Sequence, residues 1–152
     1  MKRYTSSPLY ANQADKNKKS ISKAVQYRIN LKRKHQNILK AALSEKNRVV
    51  KVEAKGNYIR VYFSDKTDKF CYSSFKAACK LLPGKLFYQP ICGTLVNLAH
   101  WEGFEKCGIA IFILLINDHK AKLSRESVRN LCSLTLYLSS NEYIRARKRQ
   151  MV

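Results

Sequence analysis

From Arg48 onward, apolar and polar residues alternate with a period of two, three times over, with turn residues between the repeats. Val50, Val52 and Ala54 alternate with Lys51, Glu53 and Lys55. Gly56-Asn57 follows as a turn. Ile59, Val61 and Phe63 then alternate with Tyr58, Arg60 and Tyr62. A second turn signal, Ser64-Asp65-Lys66-Thr67-Asp68, leads into Lys69-Phe70-Cys71-Tyr72. Successive side chains on a strand point to opposite faces, so only a sheet gathers the apolar half of this pattern on one side. The runs are rich in β-branched and aromatic residues, and Gly-Asn suits a tight reversal. The stretch predicts a three-stranded antiparallel meander.

The rest of the chain reads around that meander. Ser73-Ser74 caps a short helix with Phe75, Ala78, Cys79 and Leu82 at i, i+3, i+4 and i+7, stopped by Pro83-Gly84. It would cover one face of the preceding sheet. Further strand-like stretches are 86–89, 94–98, 101–104, the apolar run 109–116 and, after the turn Asn117-Asp118-His119, 120–123. A last helix is predicted over 124–139, capped by Ser124, with Val128, Leu131, Cys132 and Leu136 as its apolar stripe. Residues 1–19 carry no period and read as loosely ordered or disordered. Residues 20–44 read as a helix capped by Ser20 or Ser22. Its stripe begins with Ile21, Val25 and Ile29, is interrupted by Lys32-Arg33-Lys34-His35, and resumes at Ile38, Leu39, Ala42 and Leu43. The expected organisation is a basic arm over 1–46, disordered then helical, a folded domain over 47–139, and a frayed basic tail over 140–152. The expected fold class is mainly β with short helices.

Charge decides the class of partner. The 152 residues include 30 lysines and arginines against 10 acids, a formal charge of +20. With 45% hydrophobic and 11% aromatic residues, a packed core is within reach, so the excess charge belongs to a folded protein's surface and termini. Polyanions are its natural partners, because each phosphate neutralised releases counterions whatever the base sequence. Nucleic acid comes first and an anionic membrane surface well behind. Up to residue 46 only Asp15 and Glu45 oppose twelve basic residues, and Arg145, Arg147, Lys148 and Arg149 form a second cluster. The longest strictly apolar run, 109–116, is far below the roughly 18–20 residues of a membrane span. The first residues carry no apolar signal-peptide core. The expected location is therefore the cytoplasm, with association to the nucleoid when bound to DNA.

Catalytic and metal signatures are absent from the sequence. The acids form no pair suggestive of a shared site, and His35, His100 and His119 have no ligand spacing. No Gly-rich phosphate loop or nucleophile elbow is present. Cys71, Cys79, Cys92, Cys107 and Cys132 contain no C-x-x-C pair and read as reduced thiols packed as small hydrophobes. No enzyme activity, cofactor or metal is expected.

Four stretches, taken together and in order, carry a resemblance. They are 52–61 (VEAKGNYIRV), 74–83 (SFKAACKLLP), 87–98 (FYQPICGTLVNL) and 121–125 (AKLSR). From about Asn47 to Leu134 the chain resembles the LytTR family of bacterial DNA-binding domains. The third stretch is similar to the family's hallmark, in which an aromatic pair leads into Val-Asn. The fourth is similar to its closing Val-Ser-Arg before a short helix.

The resemblance implies stacked antiparallel sheets in which inter-strand loops, rather than a recognition helix, enter neighbouring major grooves of a bent duplex. It implies a transcription regulator, monomeric or dimeric on DNA, and here one without a receiver domain. Carried over by position, the DNA-contacting residues are Lys55, Asn57, Tyr58 and Arg60 from the first hairpin. The middle loop adds Gln89, Ile91, Cys92, Gly93 and Thr94, and the closing segment adds Arg125 and Arg129. Lys32, Arg33, Lys34, Arg145, Arg147, Lys148 and Arg149 would add phosphate contacts. The middle loop departs from the family: Ile91-Cys92-Gly93 offers no charge-assisted bonds, leaving backbone N–H groups and contact with a thymine methyl. Two other readings suit the composition. One is an RNA-binding or ribosome-associated protein, with Tyr58, Tyr62 and Tyr72 stacking on bases. The other is a scaffold for an acidic protein.

Overall fold

The protein is described by a computed structural model covering the backbone of residues 8–82 and 84–151. Eight strands form two antiparallel sheets. The larger has the order β3-β2-β1-β5-β4, from β1 (Val49–Lys55), β2 (Tyr58–Phe63), β3 (Asp68–Tyr72), β4 (Phe87–Ile91) and β5 (Thr94–Asn97). The smaller has the order β6-β7-β8, from β6 (Trp101–Cys107), β7 (Ala110–Leu115) and β8 (Lys120–Lys122). The expected fold class holds, and the meander is β1-β2-β3 in register, with Val52 opposite Val61 and Arg60 opposite Phe70.

The larger sheet is buried on both faces only at the start of β1 and along β5, and that is why two cores form. Val49, Val52, Ile59, Val61, Cys71 and Leu95 pack with α2 (Phe75–Leu81) and with Leu39, Ala42 and Leu43 at the end of α1 (Pro8–Ala42). Val50 and Val96 face the other way, toward Ile113, Leu115, Ala121, Leu134, Leu138 and Tyr143. A bulge between Val49 and Lys51 sets two residues of β1 against one of β2. It directs Val50 and Lys51 toward the smaller sheet, where Lys51 Nζ meets the Lys120 carbonyl at 3.3 Å. Ser74 caps α2 through its hydroxyl, which accepts from the Ala77 N–H at 3.2 Å.

Several expectations are corrected. The stretch from Pro8 to residue 19 is helical and continues into α1 without a break. The sequence there carries no apolar period, so periodicity gave no sign of it. The chain divides into a unit ending at Gln36 and a unit beginning at Asn37, so the last turns of α1 belong to the folded domain rather than to an arm. Residue 109 is not in a strand: Ile109 sits on the β6–β7 turn, fully exposed. The helix expected over 124–139 is broken at Asn130 into α3 (Arg125–Arg129) and α4 (Leu131–Leu138). The break changes the buried face, leaving Leu136 and Cys132 exposed and burying Leu134 and Leu138. The expected frayed tail is α5 (Asn141–Met151), anchored by Tyr143, whose hydroxyl donates to the Leu98 carbonyl at 2.7 Å. Of the five thiols, Cys71 alone is fully buried, while Cys92, Cys107 and Cys132 are exposed. Residues 1–7, the Ser20 and Ile21 side chains and Pro83 lie outside the described residues. Among the described residues, no helix is long and apolar enough to cross a membrane.

Candidate nucleic-acid interface

Three segments meet at one end of the larger sheet. The first is the β1–β2 turn, where Gly56 adopts φ +63°, a left-handed conformation that suits glycine. Lys55 and Tyr58 face each other across it, and Lys55, Asn57 and Tyr58 are exposed. The second is the β4–β5 turn, Cys92-Gly93, closed by Ile91 opposite Thr94. Because β1 pairs with β5, Glu53 lies opposite Thr94 and the Ala54 N–H donates to the Gly93 carbonyl at 2.7 Å. The two turns therefore lie side by side. Gly93 has φ +78°, and a side chain there would meet the Ala54 Cβ at 3.4 Å.

The third segment is the start of α3. The Ser124 N–H and the Ser127 hydroxyl both donate to the Pro90 carbonyl, each at 2.8 Å, fastening α3 beside β4. The Ser124 hydroxyl accepts from the Ser127 N–H at 3.1 Å and starts the helix with Arg125 exposed at its first position. Between α3 and the middle turn lies a cleft of about 450 Å³, lined by Tyr88, Gln89, Ile91, Cys92, Ser124, Glu126, Ser127 and Asn130. Ser127 and Pro90 hold this arrangement, and sequence reading missed both. The spacing Ser124-x-x-Ser127 was the available signal.

Not every expected contact residue sits at these turns. Arg60 lies further along β2, with Nε donating to Asp68 at 2.8 Å and its guanidinium over the Tyr62 and Phe70 rings. Arg129 is exposed at the far end of α3. Lys32, Arg33 and Lys34 are exposed on α1, in the unit that ends at Gln36. Arg145, Lys148 and Arg149 are exposed on α5, whereas Arg147 turns partly inward beside Tyr143 and His100. Helix α5 packs on the turns at Lys46–Arg48 and Leu98–His100, which flank the opposite end of the sheet. A strand's length, about 20 Å, separates that cluster from the three loops.

A partly buried ionic network backs the first hairpin. Lys51 Nζ lies 2.7 Å from Glu53, the Tyr62 hydroxyl donates to Glu53 at 2.9 Å, and Lys55 lies 3.4 Å away. Burial pushes the Glu53 carboxyl up, but the Lys51 and Tyr62 hydrogen bonds and the two lysine charges outweigh it, holding it below its ordinary value. His119 packs on Tyr62 with ring centroids 4.9 Å apart, and burial together with Lys51 pushes its pKa down. Glu53 thus consumes cationic charge that would otherwise point outward.

Among the described residues, no group of three or more His, Cys, Asp or Glu side chains lies together as a metal site would require. No family model and no curated protein matches the sequence. Among solved structures, the LytTr DNA-binding domain of a response regulator from Bacillus cereus is similar over 58% of this chain and 81% of that one, at 18% identity and a TM-score of 0.50. The two-sheet architecture of this chain is LytTR-like.

Proposed function

We propose that this protein is a sequence-specific, duplex DNA-binding transcription regulator of the bacterial cytoplasm that reads the major groove through inter-strand loops. The observation that carries the reading is the convergence of the two hairpin turns and the start of α3 at one end of the sheet. Charge of +20 supplies the phosphate attraction. Arg125, exposed beside the cleft, is the residue suited to pair bidentately with guanine. Asn57 and Gln89 are suited to adenine. Contact by the α5 cluster at the far end of the sheet requires the duplex to follow the domain for about 20 Å, which fits a bent site.

The test is selection from a random duplex pool at near-physiological salt, with excess structured RNA as competitor. A recovered motif of two similar half-sites is expected. Arg125→Ala is then expected to weaken the selected site about tenfold or more, as loss of one bidentate pair does, while sparing random duplex. Retention without a motif, or displacement by the RNA, would sink the reading.

A further inference from the structure

The cleft between α3 and the middle turn carries a charge of the wrong sign for a polyanion. Glu126 is the only charged side chain that lines it, in a chain of +20. The elements that form this end of the sheet hold one other acid, Glu53, and it is engaged by Lys51, Lys55 and Tyr62. Glu126 is exposed, and among the described residues its carboxylate forms no ion pair or hydrogen bond. The serines beside it have no hydroxyl donor left to give. The Ser124 hydroxyl donates to the Ser127 hydroxyl at 3.0 Å, and the Ser127 hydroxyl donates to the Pro90 carbonyl at 2.8 Å. An acid in a first turn suits a helix dipole, but α3 has only five residues and aligns few peptide units.

We infer that Glu126 is a specificity-determining residue of the duplex interface, its carboxylate accepting a hydrogen bond from the N4 amine of a cytosine in the major groove. This role presupposes the duplex reading and names one base that it leaves open. A carboxylate facing DNA is repelled by the phosphates of every sequence, so it lowers affinity for random duplex. It gains only where a base edge offers a donor. In the major groove those donors are the adenine N6 and cytosine N4 amines. The adenine amine stands between two acceptors, its own N7 and the O4 of the paired thymine, and both repel a carboxylate. The cytosine amine has an acceptor on one side alone, the O6 of the paired guanine. Cytosine is therefore the base that a lone carboxylate selects. Its place in the site follows from Arg125, one residue earlier. Neighbouring Cα atoms lie about 3.8 Å apart, close to the roughly 3.4 Å between base pairs. Consecutive helical side chains also point about 100° apart. Glu126 thus reaches a base pair next to the one that Arg125 reads.

The test is duplex selection run in parallel on the full chain and on its Arg125→Ala, Glu126→Ala and Glu126→Gln variants, with a urea midpoint measured for each. The guanine that Arg125→Ala ceases to select marks where α3 stands in the motif. The unaltered chain is expected to select cytosine at a base pair adjacent to that guanine. Glu126→Ala should keep the guanine, lose about tenfold in discrimination at the cytosine position, and bind random duplex more tightly. Glu126→Gln should admit adenine there, whose N7 and N6 a carboxamide pairs. A Glu126→Ala motif identical to that of the unaltered chain would overturn the inference and leave the duplex reading in place. Loss of the guanine and the cytosine together, with a lowered urea midpoint, would overturn it too, by assigning Glu126 to holding α3. If the unaltered chain recovers no motif, the duplex reading falls and this role falls with it.

Discussion

Asn97 fixes how the end of β5 sits against the start of β1, at the end of the sheet away from the three loops. It is fully buried, and its side-chain amide donates to the Val49 carbonyl at 2.8 Å and the Lys46 carbonyl at 3.2 Å, while its oxygen accepts from the Ala99 N–H at 3.0 Å. It ties the start of β1 to the end of β5. Asn97→Ala removes the partner of the Ala99 N–H and of the Val49 carbonyl in the interior, while the Lys46 carbonyl keeps the Val49 N–H, so it is expected to cost about 2–3 kcal/mol, read as a shift in the urea midpoint. A loss below about 1 kcal/mol would mean the amide is replaceable. In the sequence this residue was visible only as half of the Val-Asn element of the resemblance. Its structural duty was hidden because its partners are 48 and 51 residues away. Arg60 gives the opposite lesson. Its place in the hairpin was legible, but its capture by Asp68 depends on cross-strand register.

At the scale of elements, strands declare themselves when one face is buried and the other wet. The meander does so from Val52 to Tyr72. The break at Asn130 does not, because residues on both sides are helix-compatible and only the packing of Leu134, Leu138 and Tyr143 fixes where the helix turns. The bulge at Val49–Lys51 escapes for the same reason, being an answer to two-sided burial. Helix α1 combines both cases. Leu39 is 2% exposed within the core shared with β1 and β2, whereas Leu31, two turns earlier, is 41% exposed. Leu39→Ala is expected to cost about 2–5 kcal/mol as a cavity forms. Leu31→Ala should stay within about 0.5 kcal/mol. Equal losses in thermal or urea unfolding would mean that the early turns of α1 are as tightly packed as its end.

For the whole molecule, the unit boundary at Gln36 turns the charge distribution into a measurable division of labour. Residues 1–36 hold ten lysines and arginines against Asp15 alone, and none of the named core residues. Cutting at residue 46 would also remove Leu39, Ala42 and Leu43 and so confound binding with unfolding. Cutting at 36 removes charge and keeps the core. Each cation that neutralises a phosphate contributes about 0.9 to the slope of log K against log salt. If about half of the ten engage the duplex, the truncated chain should lose about 4 to 5 from that slope, while its ranking of selected over random sites stays intact. The Arg125→Ala chain should do the reverse, keeping the slope and losing the ranking. A truncation that leaves the slope unchanged would take α1 off the DNA. A truncation that abolishes the ranking would assign base reading or dimer formation to α1 and remove it from the loops.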